Sequence, residues 1–107
     1  MAEILVQFPP ESMPWETKDL VALWARLESW VNETLAAQDL GRCVNVDFSS
    51  ELSAWAEVAD TDRAVEALIA ALKGSGLPSG ALIGVEQADG YDIRYPPERA
   101  GELYVWR

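Results

Sequence analysis

Two stretches of this chain repeat their apolar residues every three or four positions, and several shorter ones repeat them every second position. The first period places side chains on one face of an α-helix, and the second places them on one face of a β-strand. From Thr17 to about Ala37 the apolar positions are Leu20, Leu23, Trp24, Leu27, Trp30, Val31 and Leu35. They draw one stripe, while Arg26, Glu28, Asn32 and Glu33 fall mostly off it. Trp24 lies on the stripe and is expected in the core. Gly41 closes the segment. The second stripe is Ala64, Val65, Leu68, Ile69 and Leu72. It is preceded by Asp60-Thr61-Asp62, acids suited to a helix N-terminus, and is closed by Lys73-Gly74.

The alternating segments fall around these helices. Glu3–Phe8 reads as a strand stopped by Pro9-Pro10, and Glu11–Trp15 as a loop whose Pro14 suits the first helical turn. In 42–48, Val44, Val46 and Phe48 alternate with Cys43, Asn45 and Asp47, as in a half-buried strand. Residues 52–59 alternate Ala54, Ala56 and Val58 with Ser53, Trp55 and Glu57. They are read as a strand, although alanine also favours helix. After the connector 74–80 comes a strand over 81–87. Asp89-Gly90 is a hairpin turn, and Tyr91, Ile93 and Tyr95 mark the return strand. Leu103–Arg107 reads as a last strand. The order predicts one α+β domain over 1–107. It is a ferredoxin-like split β-α-β sandwich, an antiparallel sheet with two helices on one face plus a C-terminal strand extension. The opposite sheet face is expected to stay open.

Composition narrows the chemistry. There is no histidine, so no histidine-dependent triad or imidazole metal ligand. The lone Cys43 forms neither an internal disulfide nor a cysteine-rich zinc site. A nucleophilic role, favoured by neighbouring Arg42, weighs less than a structural one. No calcium-loop or phosphate-loop pattern is present: Asp89-Gly90 reads as a turn, and Gly74-x-Gly76 follows a helix and lacks the required lysine. No cofactor and no metal are expected. The first residues are not a basic leader, and no apolar run reaches membrane-spanning length, so a cytoplasmic location is expected.

The net charge is −10, spread as −5, −3 and −2 over residues 1–40, 41–80 and 81–107. No two bases are adjacent, so neither nucleic acid nor an anionic membrane is an expected partner. The predicted open face carries Leu5, Gln7, Asn45, Asp47, Trp55, Glu57 and Glu86. An aromatic among carboxylates suits a basic protein, whose arginine stacks on the indole and pairs with an acid. The expected partner-binding residues are therefore Asp47, Trp55, Glu57 and Glu86, in a small acidic protein-interaction module. This is the physical logic of immunity proteins and other toxin-neutralising inhibitors. No catalytic residue is assigned. The competing readings are a solvated face with Trp55 covered by the C-terminal strand, a homodimer formed through this face, and a homodimeric small-ligand protein or enzyme with a pocket fringed by Asn45, Asp47 and tyrosines. A metal or acid/base site at Asp47, Glu57 and Glu86 needs more than alternation to establish. A groove lined by Trp15, Trp30 and Trp106 is less economical than core anchoring of those indoles.

Overall fold

The computed structural model describes residues 2–13, 16–48 and 51–104. Strand β1 (Ala2–Phe8) runs into a 3₁₀ turn at Pro10–Ser12. Helix α1 (Thr17–Ala36), strands β2 (Gly41–Phe48) and β3 (Leu52–Val58), helix α2 (Thr61–Leu72) and strand β4 (Leu82–Gln87) follow. A hairpin leads to β5 (Gly90–Tyr95), and a 3₁₀ turn at Pro97–Arg99 leads to the two-residue β6 (Leu103–Tyr104). The strands form one antiparallel sheet in the order β2-β3-β1-β4-β5-β6. The first four give the ferredoxin-like order, with the β5–β6 extension added beyond β4.

β1 lies at the centre. Five consecutive residues, Ile4 to Phe8, are buried, so the strand is covered on both faces. Ile4, Val6 and Phe8 face the helices and pack with Leu27, Val31 and Leu35 of α1, Ala64, Val65 and Leu68 of α2, and Ala54, Ala56 and Val58 of β3. Asp60 caps α2, its carboxylate accepting the Arg63 N–H at 3.1 Å. The Arg26 guanidinium donates to the Ser75 carbonyl and ties α1 to the segment after α2. Gly41 is required where β2 meets β3, because a Cβ there would stand 2.1 Å from the Glu57 carbonyl oxygen.

Two expectations need correction. Along β2 the register shifts between Cys43 and Asn45. This bulge places one extra residue opposite β3 and reverses the alternation across it. Cys43 therefore joins Val46 and Phe48 against the core, while Val44 is exposed. Trp24 is also exposed rather than in the core. All three fully buried residues of α1 lie in its second half, and the first half keeps only partial cover. Of the last predicted strand, 103–104 is seen. Residues 105–107, with Trp106, and Pro14 and Trp15 lie outside the described residues, so the Trp15–Trp30–Trp106 groove does too. Trp30 itself packs against the core. Among the described residues no helix is long and apolar enough to cross a membrane.

Truncating the core and removing the cap should separate cleanly in urea unfolding. Leu68→Ala is expected to cost about 2–5 kcal/mol, and Asp60→Ala about 1 kcal/mol.

Candidate acidic face

The face of the sheet away from the helices is built by alternation from every strand. β2 contributes Arg42, Asn45 and Asp47, and β3 contributes Ser53, Trp55 and Glu57. β1 adds Glu3, Leu5 and Gln7, and β4 adds Leu82, Gly84 and Glu86. Tyr91 and Ile93 of β5 and Tyr104 of β6 complete it. The four predicted partner-binding residues, Asp47, Trp55, Glu57 and Glu86, thus share one face.

That face is not open at its centre. Leu5, Ser53 and Ile93 are fully buried, and Gln7, Leu82 and Tyr91 nearly so. Aromatic side chains lying across the strands close it. Gly84 lets Tyr91 do so: a Cβ at Gly84 would stand 2.9 Å from the Tyr91 Cβ, so only glycine leaves that space. The Tyr91 hydroxyl reaches β1 and donates to Glu3 Oε1 at 2.8 Å. It accepts the Trp55 indole N–H at 3.1 Å. A second set joins Gln7, whose amide donates to Ser53 Oγ at 3.0 Å and to the Tyr104 hydroxyl at 3.1 Å. Among the described residues no buried side-chain nitrogen or oxygen lacks a partner, as a stable polar layer requires.

Trp55 is consequently half-buried and held by Tyr91 from the neighbouring β4–β5 hairpin. β6, the predicted cover in one competing reading, lies at the far edge of the sheet from β3. The carboxylates lie around this closed centre. Asp47 and Glu86 are exposed and Glu57 is partly so. Glu57 stands opposite Glu3 in register, a like-charge pair. The Tyr91 hydroxyl bond to Glu3 and the Arg42–Glu57 ion pair at 3.8 Å offset it. Glu86 follows Val85, the partner of Ile4, and so borders Glu3 on its other side.

Burial first, then the hydrogen bond to Glu3 and the charge of its carboxylate, push the Tyr91 phenol up to about 12. Burial likewise pushes the Cys43 thiol up, against a thiolate nucleophile. Its Sγ points to the Asn45 carbonyl at 3.6 Å, and Arg42 turns to Glu57 instead. No group of three or more metal-ligating side chains is assembled among the described residues. A cavity of about 1020 Å³ lies away from the Asn45 and Asp47 corner, lined by Pro9, Ile69, Leu77, Pro78, Tyr95 and Arg99 among others. It is not the pocket fringed by Asn45 and Asp47 that the small-ligand reading requires.

Sequence reasoning missed Glu3, Tyr91, Ser53 and Tyr104 as members of this face. Alternation on β1 and β3 would have placed Glu3 and Ser53. For Tyr91 the signal was weaker, because a register shift between Ile83 and Gly84 separates β5 from the simple count. Comparison of the chain with protein-family models, curated proteins and solved structures finds no match.

The raised phenol gives a signed prediction. Tyr91 has a higher value folded than the unfolded value of about 10, so its protonated form is favoured by folding. The Tyr91 contribution is full below pH about 10 and is lost as pH rises toward about 12. Urea midpoints of the native chain should fall across that window, and those of Tyr91→Phe should fall less. A late step in tyrosinate absorbance should vanish in the same variant.

Proposed function

We propose that this chain is a small acidic protein-interaction module whose partner is a basic protein, acting as an inhibitor or immunity protein acts by occupying a cationic surface. The observation that carries the reading is the placement of Asp47, Glu57 and Glu86 on the same sheet face as Trp55, in a chain of net charge −10. Uniform negative charge speeds encounter with a cationic surface and disfavours acidic competitors. Trp55 supplies the anchor: its N–H is engaged by Tyr91, so the ring is held in place before a partner arrives. A fixed aromatic gives up little conformational freedom on binding. Asp47, Glu57 and Glu86 pair with the partner's lysines or arginines around it.

Affinity capture from a lysate of the source cells, with the native chain and the combined Asp47→Lys, Glu57→Lys and Glu86→Lys variant side by side, tests this. The native chain should retain a basic protein at low salt and release it at high salt, and the charge-reversed variant should retain none of it. Trp55→Ala should weaken retention by about tenfold or more. Recovery of no basic protein at low salt, or equal recovery by the reversed variant, overturns the reading.

A further inference from the structure

The sheet has two unequal edges. β6 closes one with two residues, whereas β2 ends the other with eight, and a long unpaired edge is a template for another strand. The first half of β2 is guarded. Asn32 of α1 accepts the Cys43 N–H at 2.8 Å, and the bulge follows at once. In the second half Val44, Asn45 and Asp47 are exposed, Phe48 is half-buried and the Val46 side chain is in the core, and among the described residues no side chain accepts a backbone N–H there as Asn32 does that of Cys43. In an antiparallel ladder the backbone groups point alternately toward and away from the neighbour. Cys43 turns its N–H outward to Asn32, so its counterparts Val46 and Phe48, opposite Ala54 and Leu52, turn theirs outward as well.

Apolar surface gathers at the same edge. Four large apolar side chains are exposed among the described residues, and three of them belong to α1 and β2: Val21 (63%), Trp24 (38%) and Val44 (41%). Asn32 touches Cys43, and Glu28 lies close enough for its charge to act on that thiol, so this side of α1 borders β2. Trp24 and Val21 follow on that side, four and seven residues before Glu28, one and two turns further along. The chain reverses between α1 and β2, which brings this part of the helix toward the open half of the strand. Glu28 and Asp47 have no basic partner among the described residues, and Arg42 is committed to Glu57.

We infer that the open half of the β2 edge, Val44 to Phe48, takes an extended, lysine- or arginine-bearing segment of a protein partner as a seventh strand. This rests on the basic-partner reading and adds a second point of engagement beside the Trp55 face, with Asp47 common to both. Main-chain bonds to Val46 and Phe48 hold the segment. Its alternate side chains divide: bases on one face meet Asp47, and apolar residues on the other meet Trp24 and Val21. A second copy of this chain fits the edge less well, since it brings ten further negative charges and no uncommitted base at this edge.

The test is titration of the isotope-labelled full chain with the hexapeptide acetyl-Lys-Val-Lys-Val-Lys-Val-amide and its serine-for-lysine counterpart, followed by amide and indole NMR shifts. The lysine peptide should shift the amides of residues 44–48 and the Trp24 indole, and added salt should weaken it. Trp24→Lys and Val44→Lys, both at exposed positions, should weaken binding about tenfold, whereas Glu66→Gln, at an exposed position of α2, should leave it within about twofold. Shifts centred on the Trp55 indole and Glu86 would sink the edge assignment and leave the basic-partner reading standing. No shift anywhere would sink the edge assignment, and the basic-partner reading would then be decided by the affinity capture alone. Equal binding of the serine peptide would remove the charge selection, and a peptide-free dimer with protected edge amides would give the edge to a second copy.

Discussion

Burial of β1 on both faces is the constraint on which the rest depends. Its inward residues Ile4, Val6 and Phe8 meet the two helices, and its outward residues Leu5 and Gln7 lie under the closed aromatic layer of the other face. A strand covered on both faces must have hydrogen-bonded neighbours on both sides, because an unpaired buried peptide group costs about as much as a lost hydrogen bond. β3 and β4 supply those neighbours. α1 joins β1 to β2 across β3 and α2 joins β3 to β4 across β1, and both helices pack on the inward residues of β1. Fully burying each large side chain contributes roughly 1.5–3 kcal/mol.

The second face shows how polar residues are retained inside such a structure. Glu3, Tyr91 and Trp55 come from three different strands and meet at one hydroxyl, and Gln7, Ser53 and Tyr104 meet at one amide. Each group has a partner, so the layer does not pay the desolvation of an unsatisfied donor or acceptor. The same geometry separates two regions: an aromatic, hydrogen-bonded centre and a border of carboxylates at Asp47, Glu57 and Glu86. Charge collects where water can still reach it, as the cost of burying ions requires.

Much of the architecture was legible because it rests on local periodicity. The stripe from Leu20 to Leu35 and the Asp60 cap each carry their signal within a few residues, whereas the hairpin expected to turn at Asp89-Gly90 turns one residue earlier, at Ala88-Asp89, with Gly90 opening β5 opposite Gln87. The departures have non-local causes. The bulge after Cys43 exchanges the sides of Cys43 and Val44, and nothing in the alternation of 42–48 announces it. Trp24 satisfies the helical stripe, yet that part of α1 is only partly covered: Leu23 packs against the core while Trp24 is left exposed. The sheet face expected to be open is closed at its centre because Tyr91, Trp55 and Tyr104 are bonded across its strands, an arrangement that depends on Gly84 standing beside Tyr91.

By itself, the sequence determined the identity and order of the strands and helices, the acidic charge, the lack of histidine chemistry, and the sharing of one sheet face by Asp47, Trp55, Glu57 and Glu86. These follow from side-chain period and composition, which act along the chain. Only the tertiary structure decided that Tyr91 holds Trp55, that Glu3 is bound within that network, and that β5 and β6 pair beyond β4 and leave the β2 edge uncovered by a strand. Those outcomes depend on which strands become neighbours and in what register, and that is set by packing between segments far apart in the chain.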